Sequence, residues 1–235
     1  MADTSLHRAV RILEEALGYD HPDVVPTMRN HGMLYMQMGD YDSAIKLFKR
    51  GIEILDSSYG SGLAEKAPLY HSLASALEQQ GDAGAAAECL REVLKGKEAA
   101  SRDPTKDLEL VPIMISLAHN LANAKDFKAS ARMRMRALGI QKANFGWNTV
   151  EVAENLLGLA IDLSRLRKYQ SAEKRMSVAY KIMRSKLGKT HERVQKVGQA
   201  LLKMRRELKR AQEEKDAQEQ LQADSDLDQV PSDGV

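Results

Sequence analysis

One short phrase built around a glycine returns at a fixed interval along this chain of 235 residues, and that interval constrains the fold more than any other feature. "LGYDHPDV" at residues 17–24 is answered by "YGSGLAEK", "FGWNTVEV" and "LGKTHERV". Gly18, Gly60, Gly146 and Gly188 then fall in register at spacings of 42, 86 and 42. The long gap holds two periods, and its middle register, "EAASRDPT", lacks only the glycine. A second phrase keeps the same beat in "MGDYDSA", "QGDAGAA", "AKDFKAS" and "LRKYQSA", and a third places Pro26, Pro68 and Pro112. Three independent markers on one period of this length indicate an array of stacked structural units.

Each unit reads as two helices. In the first, Met28, Gly32 and Tyr35 are succeeded by Tyr70, Ala74 and Leu77, by Met114, Ala118 and Leu121, and by Leu156, Ala160 and Leu163. The second carries Ala44, Phe48 and Gly51, then Ala86, Leu90 and Val93, and later Ala172, Met176 and Ala179. Steps of three and four put these residues on one helical face. The small member of each set lets the paired helices approach closely. Gly39 and Gly81 stand where a first helix must end in a left-handed residue, and Lys125 and Arg167 take that place later at some local strain. The prolines read as first-turn residues, where the missing N–H costs nothing. Pro22 and Pro26 do not share a helix, so the first helix of that unit starts after Pro22. Aromatic residues are only 5% of the chain, and 15 Gly with 6 Pro are too few for a many-turned β protein.

Large, small, then aromatic or Leu, a turn, then Ala, aromatic and Ala: this pattern resembles the tetratricopeptide repeat. With "LG-x-x-HP-x-V" and "GDYDSAIKLFKRGIEI", at a period of 42, it is most similar to the repeats of the kinesin light chain and related adaptors, over about residues 5–200. The resemblance implies an all-α fold, a right-handed α-solenoid of helix-turn-helix repeats with a long C-terminal capping helix. Residues 1–19 match only a second helix, with Ala9, Leu13 and Ala16 at its anchor positions, and form a partial repeat or an N-terminal cap. Four repeats follow at 20–190, then a capping helix at 191–221 and an acidic, disordered tail at 222–235. A single helix pair cannot bury its own stripe, so the units must stack.

No motif for catalysis stands out. There is no glycine-rich phosphate loop, no Ser/His/Asp arrangement and no metal-ligand spacing, so neither an enzyme nor a cofactor is expected. The six histidines are scattered and read as surface or turn residues. Cys89 is the one cysteine and reads as a small packing residue, which excludes an intrachain disulfide and suits a reducing compartment. Trp147 in "FGWN" reads as packing between neighbouring units. Apolar stretches are too short to span a membrane, and the expected location is cytoplasmic, or organellar if the N-terminus is truncated.

Binding is better supported. In tetratricopeptide arrays the first helices line the concave face, and the resemblance assigns inward positions by offset from the small anchor. The candidates are Arg29, Asn30, Met33 and Met36, then His71, Ser75 and Glu78, then Ile115 and His119, then Leu157 and Ile161. Kinesin-light-chain repeats carry groove asparagines; only Asn30 matches, while Ser72, Ser116 and Gly158 depart from the pattern. The basic clamp of chaperone adaptors is not reproduced. Charge is divided sharply: residues 1–110 carry a net −6, 165–210 a net +13 and 211–235 a net −7. Lys203, Arg205, Arg206, Lys209 and Arg210 form a candidate basic surface for an acidic protein, a microtubule-associated complex or RNA. The expected function is therefore a scaffold or adaptor that holds a peptide or helix in its groove and makes a second contact through its basic helix. The alternatives are an RNA- or ribonucleoprotein-associated repeat protein and a structural accessory subunit of a large assembly.

Overall fold

The computed structural model describes residues 2–59 and 63–227, and every regular element among them is helical. The α-helices are α1 (Ala2–Leu17), α2 (Val25–Met38), α3 (Tyr41–Tyr59), α4 (Leu63–Gln80), α5 (Ala83–Ala100), α6 (Leu110–Asn123), α7 (Phe127–Phe145), α8 (Val150–Arg165), α9 (Tyr169–Leu187) and α10 (Glu192–Leu227). They fall into two compact units, Met1–Gly146 and Trp147–Val235. The first holds α1 and the hairpins α2/α3, α4/α5 and α6/α7; the second holds α8/α9 and α10.

Two devices build each hairpin. The first is a left-handed turn: α2 ends on Gly39 at φ 80°, and its N–H bonds back to the carbonyls of Met36 and Tyr35. Gly81 repeats this at φ 92°, and Lys125 and Arg167 hold the same conformation at 66° and 58° without being glycine. The chain thus keeps the turn where it has lost the residue that makes it easy. The second device is close approach. A Cβ built on Gly32 would lie 2.5 Å from a ring carbon of Phe48, so only glycine admits that ring. Ala44, Ala86 and Ala172 are fully enclosed, as their register requires. In the third hairpin Ser130 takes this place, also fully buried, and its hydroxyl donates to the carbonyl of Ala118 at 2.7 Å. A hydroxyl is tolerated there because it is satisfied across the helix pair.

The phrases "YDHPDV" and "KTHERV" also find their reason. His21 Nδ1 accepts from the N–H of Asp23 and His191 Nδ1 from that of Arg193, both at 3.2 Å. Each imidazole serves a helix start that has no Ser, Thr, Asp or Asn at the same place.

Several expectations need correction. Pro26 and Pro112 do lie in the first turns of α2 and α6, but Pro68 lies inside α4, which starts earlier, at Leu63. The added turn is tied to α3 by buried Lys66, which pairs with Asp56. His31 is not a surface residue: it is 3% exposed, stacks at 4.6 Å on Tyr35 and meets the edge of His7 at 5.9 Å. Trp147 is 46% exposed, more open than a residue wedged in packing. The register without a glycine ends α5 on extended Ser101, and Asp103 and Asp107 shape the loop that follows. Their carboxyls accept N–H bonds from Thr105 and Glu109. Helix α10 runs on to Leu227, past the expected end at residue 221, so 222–227 are helical rather than disordered; Gly60 and the rest of the tail lie outside the described residues.

Candidate functional site

Of the eleven groove positions, nine belong to the first unit. Asn30, Met33, His71, Glu78 and His119 are exposed, and Arg29, Met36, Ser75 and Ile115 are half-buried. Arg29 is engaged: its Nε donates to Ser72 Oγ at 3.3 Å, and that hydroxyl donates to the Pro68 carbonyl, joining α2 to α4. Met36 and Ile115 rest against the core of this unit. The Ser75 hydroxyl bonds to its own helix at the His71 carbonyl, and the His119 Nε2 lies 3.1 Å from the Asn123 amide. These positions make an open, mixed surface. No group of three or more His, Cys, Asp or Glu among the described residues could hold a metal ion.

In the second unit the arrangement is more enclosed. Leu157 is half-buried against the cluster of Ala160, Ala172, Met176, Leu201 and Met204, whereas Ile161, one turn further along α8, is 53% exposed. Ile161 stands at the lip of a cleft of about 420 Å³ between α8, the start of α9 and α10. Buried Met176 and Met204 form its floor. Arg165, Arg167 and Lys203 stand on its walls with Tyr169, and Glu207 is the carboxylate among its lining. A second cleft of about 300 Å³ shares Arg167 and Tyr169 and continues along α10 past Leu208 to Gln212.

Helix caps sharpen the electrostatic contrast. Asp40, Asp82 and Asp126 each accept an N–H bond at the start of a second helix in the first unit. Hydrogen bonds from the side chain and backbone of Ser43 hold the Asp40 carboxyl below its usual range. At the start of α9 the residue is Lys168, with no side-chain cap bond. A carboxylate beside a positive helix end is thereby replaced by a cation.

The five basic residues of α10 are all exposed, and they differ in what they meet. Lys203 lines the cleft and Arg206 and Arg210 are exposed, but Lys209 lies 3.5 Å from Glu213. Arg205 turns onto α9, pairing with Glu173 at 2.9 Å and donating to Ser177 Oγ at 3.2 Å. Its side chain nonetheless stays 55% exposed.

The tetratricopeptide-repeat family model matches residues 1–57 and again 25–99. Over residues 1–99 the chain thus matches the tetratricopeptide-repeat family. Its fold is of the kinesin-light-chain-like kind: a Podosopora anserina structure of nearly identical kinesin-light-chain TPR-like repeats is 18% identical, with a TM-score of 0.65, covering 90% of this chain and 99% of that one. BtubC (BKLC) from P. vanneervenii is 17% identical with a TM-score of 0.59, covering 99% and 93%. MamA is 16% identical with a TM-score of 0.53, covering 77% and 88%. No curated protein matches the sequence. No helix is long and apolar enough, among the described residues, to cross a membrane.

Sequence reasoning missed Arg165, Arg167 and Tyr169 as cleft residues, and the groove spacing, carried past Ile161, reaches only the α10 side of the cleft. The anchor of each first helix stands 14 residues after its glycine, so Gly188 makes Leu202 the anchor of α10. The groove offsets then select Gln199, Ala200, Lys203 and Arg206, of which Ala200 and Lys203 line the cleft.

Proposed function

We propose that the protein is a non-catalytic scaffold that docks a segment of a partner protein, with the cleft of the second unit as its principal contact. One observation carries this reading: the cleft brings Ile161, a groove position, and Lys203, from the basic segment, to one concave site. Concavity, a few apolar side chains and a small number of convergent polar groups are what a binding site requires. The surface positions of the first unit, Asn30, Met33 and His71 among them, add a second stretch where a segment can lie. The cytoplasm is the setting this reading adopts, on the family resemblance.

A photo-crosslinking amino acid placed at Ile161 tests the assignment against the same group at exposed Ser185, which lies outside the cleft. Protein adducts should form at position 161 and be absent at 185. Equal labelling at both would remove the cleft from the function.

A further inference from the structure

The second helices of the hairpins occupy equivalent places in the repeat, yet their charge changes along the chain. Helix α3 sets Lys46, Lys49 and Arg50 against Asp42, Glu53 and Asp56, and α5 sets Arg91, Lys95 and Lys97 against Glu88, Glu92 and Glu98. Helix α7 has five bases and no acid, but Arg136 is taken by Glu98. Helix α9 carries Lys174, Arg175, Lys181, Arg184 and Lys186 against Glu173 alone. We propose that the outer face of α9 is a second binding surface, separate from the cleft, for the sugar–phosphate backbone of an RNA duplex.

All five cations of α9 are exposed, and among the described residues no carboxylate pairs with any of them. The carboxylates of this unit are engaged elsewhere: Glu154 with Arg193, Glu173 with Arg205, Glu192 with Lys196 and Glu213 with Lys209. Lys174 and Lys181 share one stripe of the helix with Val178 and Ser185, and stand about 10 Å apart along its axis. None of these four lines either cleft of the unit. Ordinary solvation of a helix does not require such a bias, since α3 and α5 are solvated with balanced charge. Unscreened cations in one row set up a field that draws a polyanion.

The make-up of the face selects the polyanion. Interfaces between proteins centre on apolar and aromatic side chains and are poor in lysine, whereas α9 presents only Val178 amid its cations. Nucleic-acid interfaces are polar and strongly positive, with hydroxyls among the phosphate contacts, as Ser185 and Thr190 are placed to supply. Insertion into lipid needs a free apolar face, and that of α9, with Met176, Ala179, Ile182 and Met183, is buried in the stack. Single strands are held by stacking on aromatic rings. Both tyrosines of α9 are occupied: Tyr169 lines the cleft, and the Tyr180 ring lies 3.3 Å from where a Cβ on Gly198 would stand. B-form DNA is read by an element that enters its major groove, and α9 is held between α8 and α10. An A-form duplex instead displays phosphates and 2′-hydroxyls across a wide, shallow minor groove, within reach of side chains on a fixed surface.

The test uses the full chain and a fluorescent, blunt-ended RNA duplex of mixed sequence, with binding followed by anisotropy. Lys174→Gln combined with Lys181→Gln should weaken binding by on the order of tenfold and reduce the slope of log affinity against log salt by about two. Lys46→Gln with Lys49→Gln is the control, because it removes the same charge from the balanced helix α3 and should leave binding nearly unchanged. Both double variants should keep the parent's circular dichroism, as all four lysines are exposed. Equal losses from the two would show that net charge alone draws the RNA, and would overturn the assignment to α9. The competing ligands are a DNA duplex of the same sequence, one RNA strand alone, a glutamate polymer and phosphatidylserine vesicles. Any of these bound as tightly as the RNA duplex overturns the inference, as does failure of the RNA duplex to bind. Crosslinking at position 161 should be the same in the α9 variant as in the parent, so the RNA face and the docking cleft succeed or fail separately.

Discussion

Replacing Gly32 with alanine sets two known effects against each other. In a helix interior alanine is favoured over glycine by about 1 kcal/mol. Against this, the added Cβ would lie 2.5, 2.9 and 3.0 Å from three ring carbons of Phe48. Real Cβ atoms do not sustain such distances, so the ring or the helix must move. Phe48 is fully enclosed and belongs to the main core cluster of the first unit, which leaves the ring nowhere to swing. Overpacking of this kind costs about 1–3 kcal/mol, and contact with three atoms at once argues for the upper part of that range. The net expectation is a destabilisation of about 1–2 kcal/mol, or a Tm lower by a few degrees. Gly139 in α7 is the control, because a Cβ there meets nothing within 4 Å. Gly139→Ala should gain most of the helix preference, about 0.5–1 kcal/mol. Urea unfolding followed by circular dichroism reads both, and a Phe48→Leu background should recover part of the Gly32→Ala loss. A Gly32→Ala protein as stable as the parent would show that α2 and α3 do not meet as described.

Lys125→Gly should raise stability by up to about 1 kcal/mol, because a left-handed side-chain residue carries a strain that glycine does not; a lower Tm would mean that the lysine side chain holds the turn. Burial pushes the Cys89 thiol up to about 11 from 9.0. The neutral thiol is thus favoured in the fold, so its contribution is intact below pH 9 and is lost as pH climbs toward 11. Unfolding titrations across that range should flatten for Cys89→Ala, and parallel curves for the two proteins would contradict the burial argument. Arg205→Gln should lower stability by about 1 kcal/mol, since it leaves the half-buried Glu173 unpaired, while Arg206→Gln should change it little. Denaturant midpoints that fall equally for both would show that the pair with Glu173 adds nothing to stability.

What the sequence discloses follows the distance over which each cause acts. Period, hairpin turns and small-residue positions are legible because each is a local requirement repeated four times: Gly39, Gly81, Lys125 and Arg167 occupy one register and share one conformation. The early start of α4 was hidden because its reason is a pairing between Lys66 and Asp56, ten residues apart and on different helices. His31 was misread because nothing nearby announces that Tyr35 and His7 enclose it. The cleft was half visible. Ile161 follows from the groove offsets and Lys203 from the charge run, but their meeting depends on how α10 lies against α9. Arg205 shows the converse: composition places it on a basic face, and its pairing with Glu173 on α9 becomes visible only in the fold.

The two faces of α10 explain why one helix can both close a stack and shape a site. Toward α9 it buries Val194, Val197, Leu201 and Met204, the stripe that any first helix uses against the hairpin before it. The other face is where a first helix receives its own second helix. Earlier repeats put Val25, Val111 or Ala153 at its first position, and α10 has exposed Gln195. At the close-approach position Gly32, Ala118 and Ala160 give way to Leu202, 57% exposed. A large residue where the backbone must come near, beside glutamine, does not admit another helix in the manner of the earlier pairs. The side chains between the two faces are then free of repeat packing, and Ala200, Lys203 and Glu207 line the cleft. Losing the second helix thus makes room for the site: the same substitutions that end hairpin formation at α10 leave its flank open to a partner.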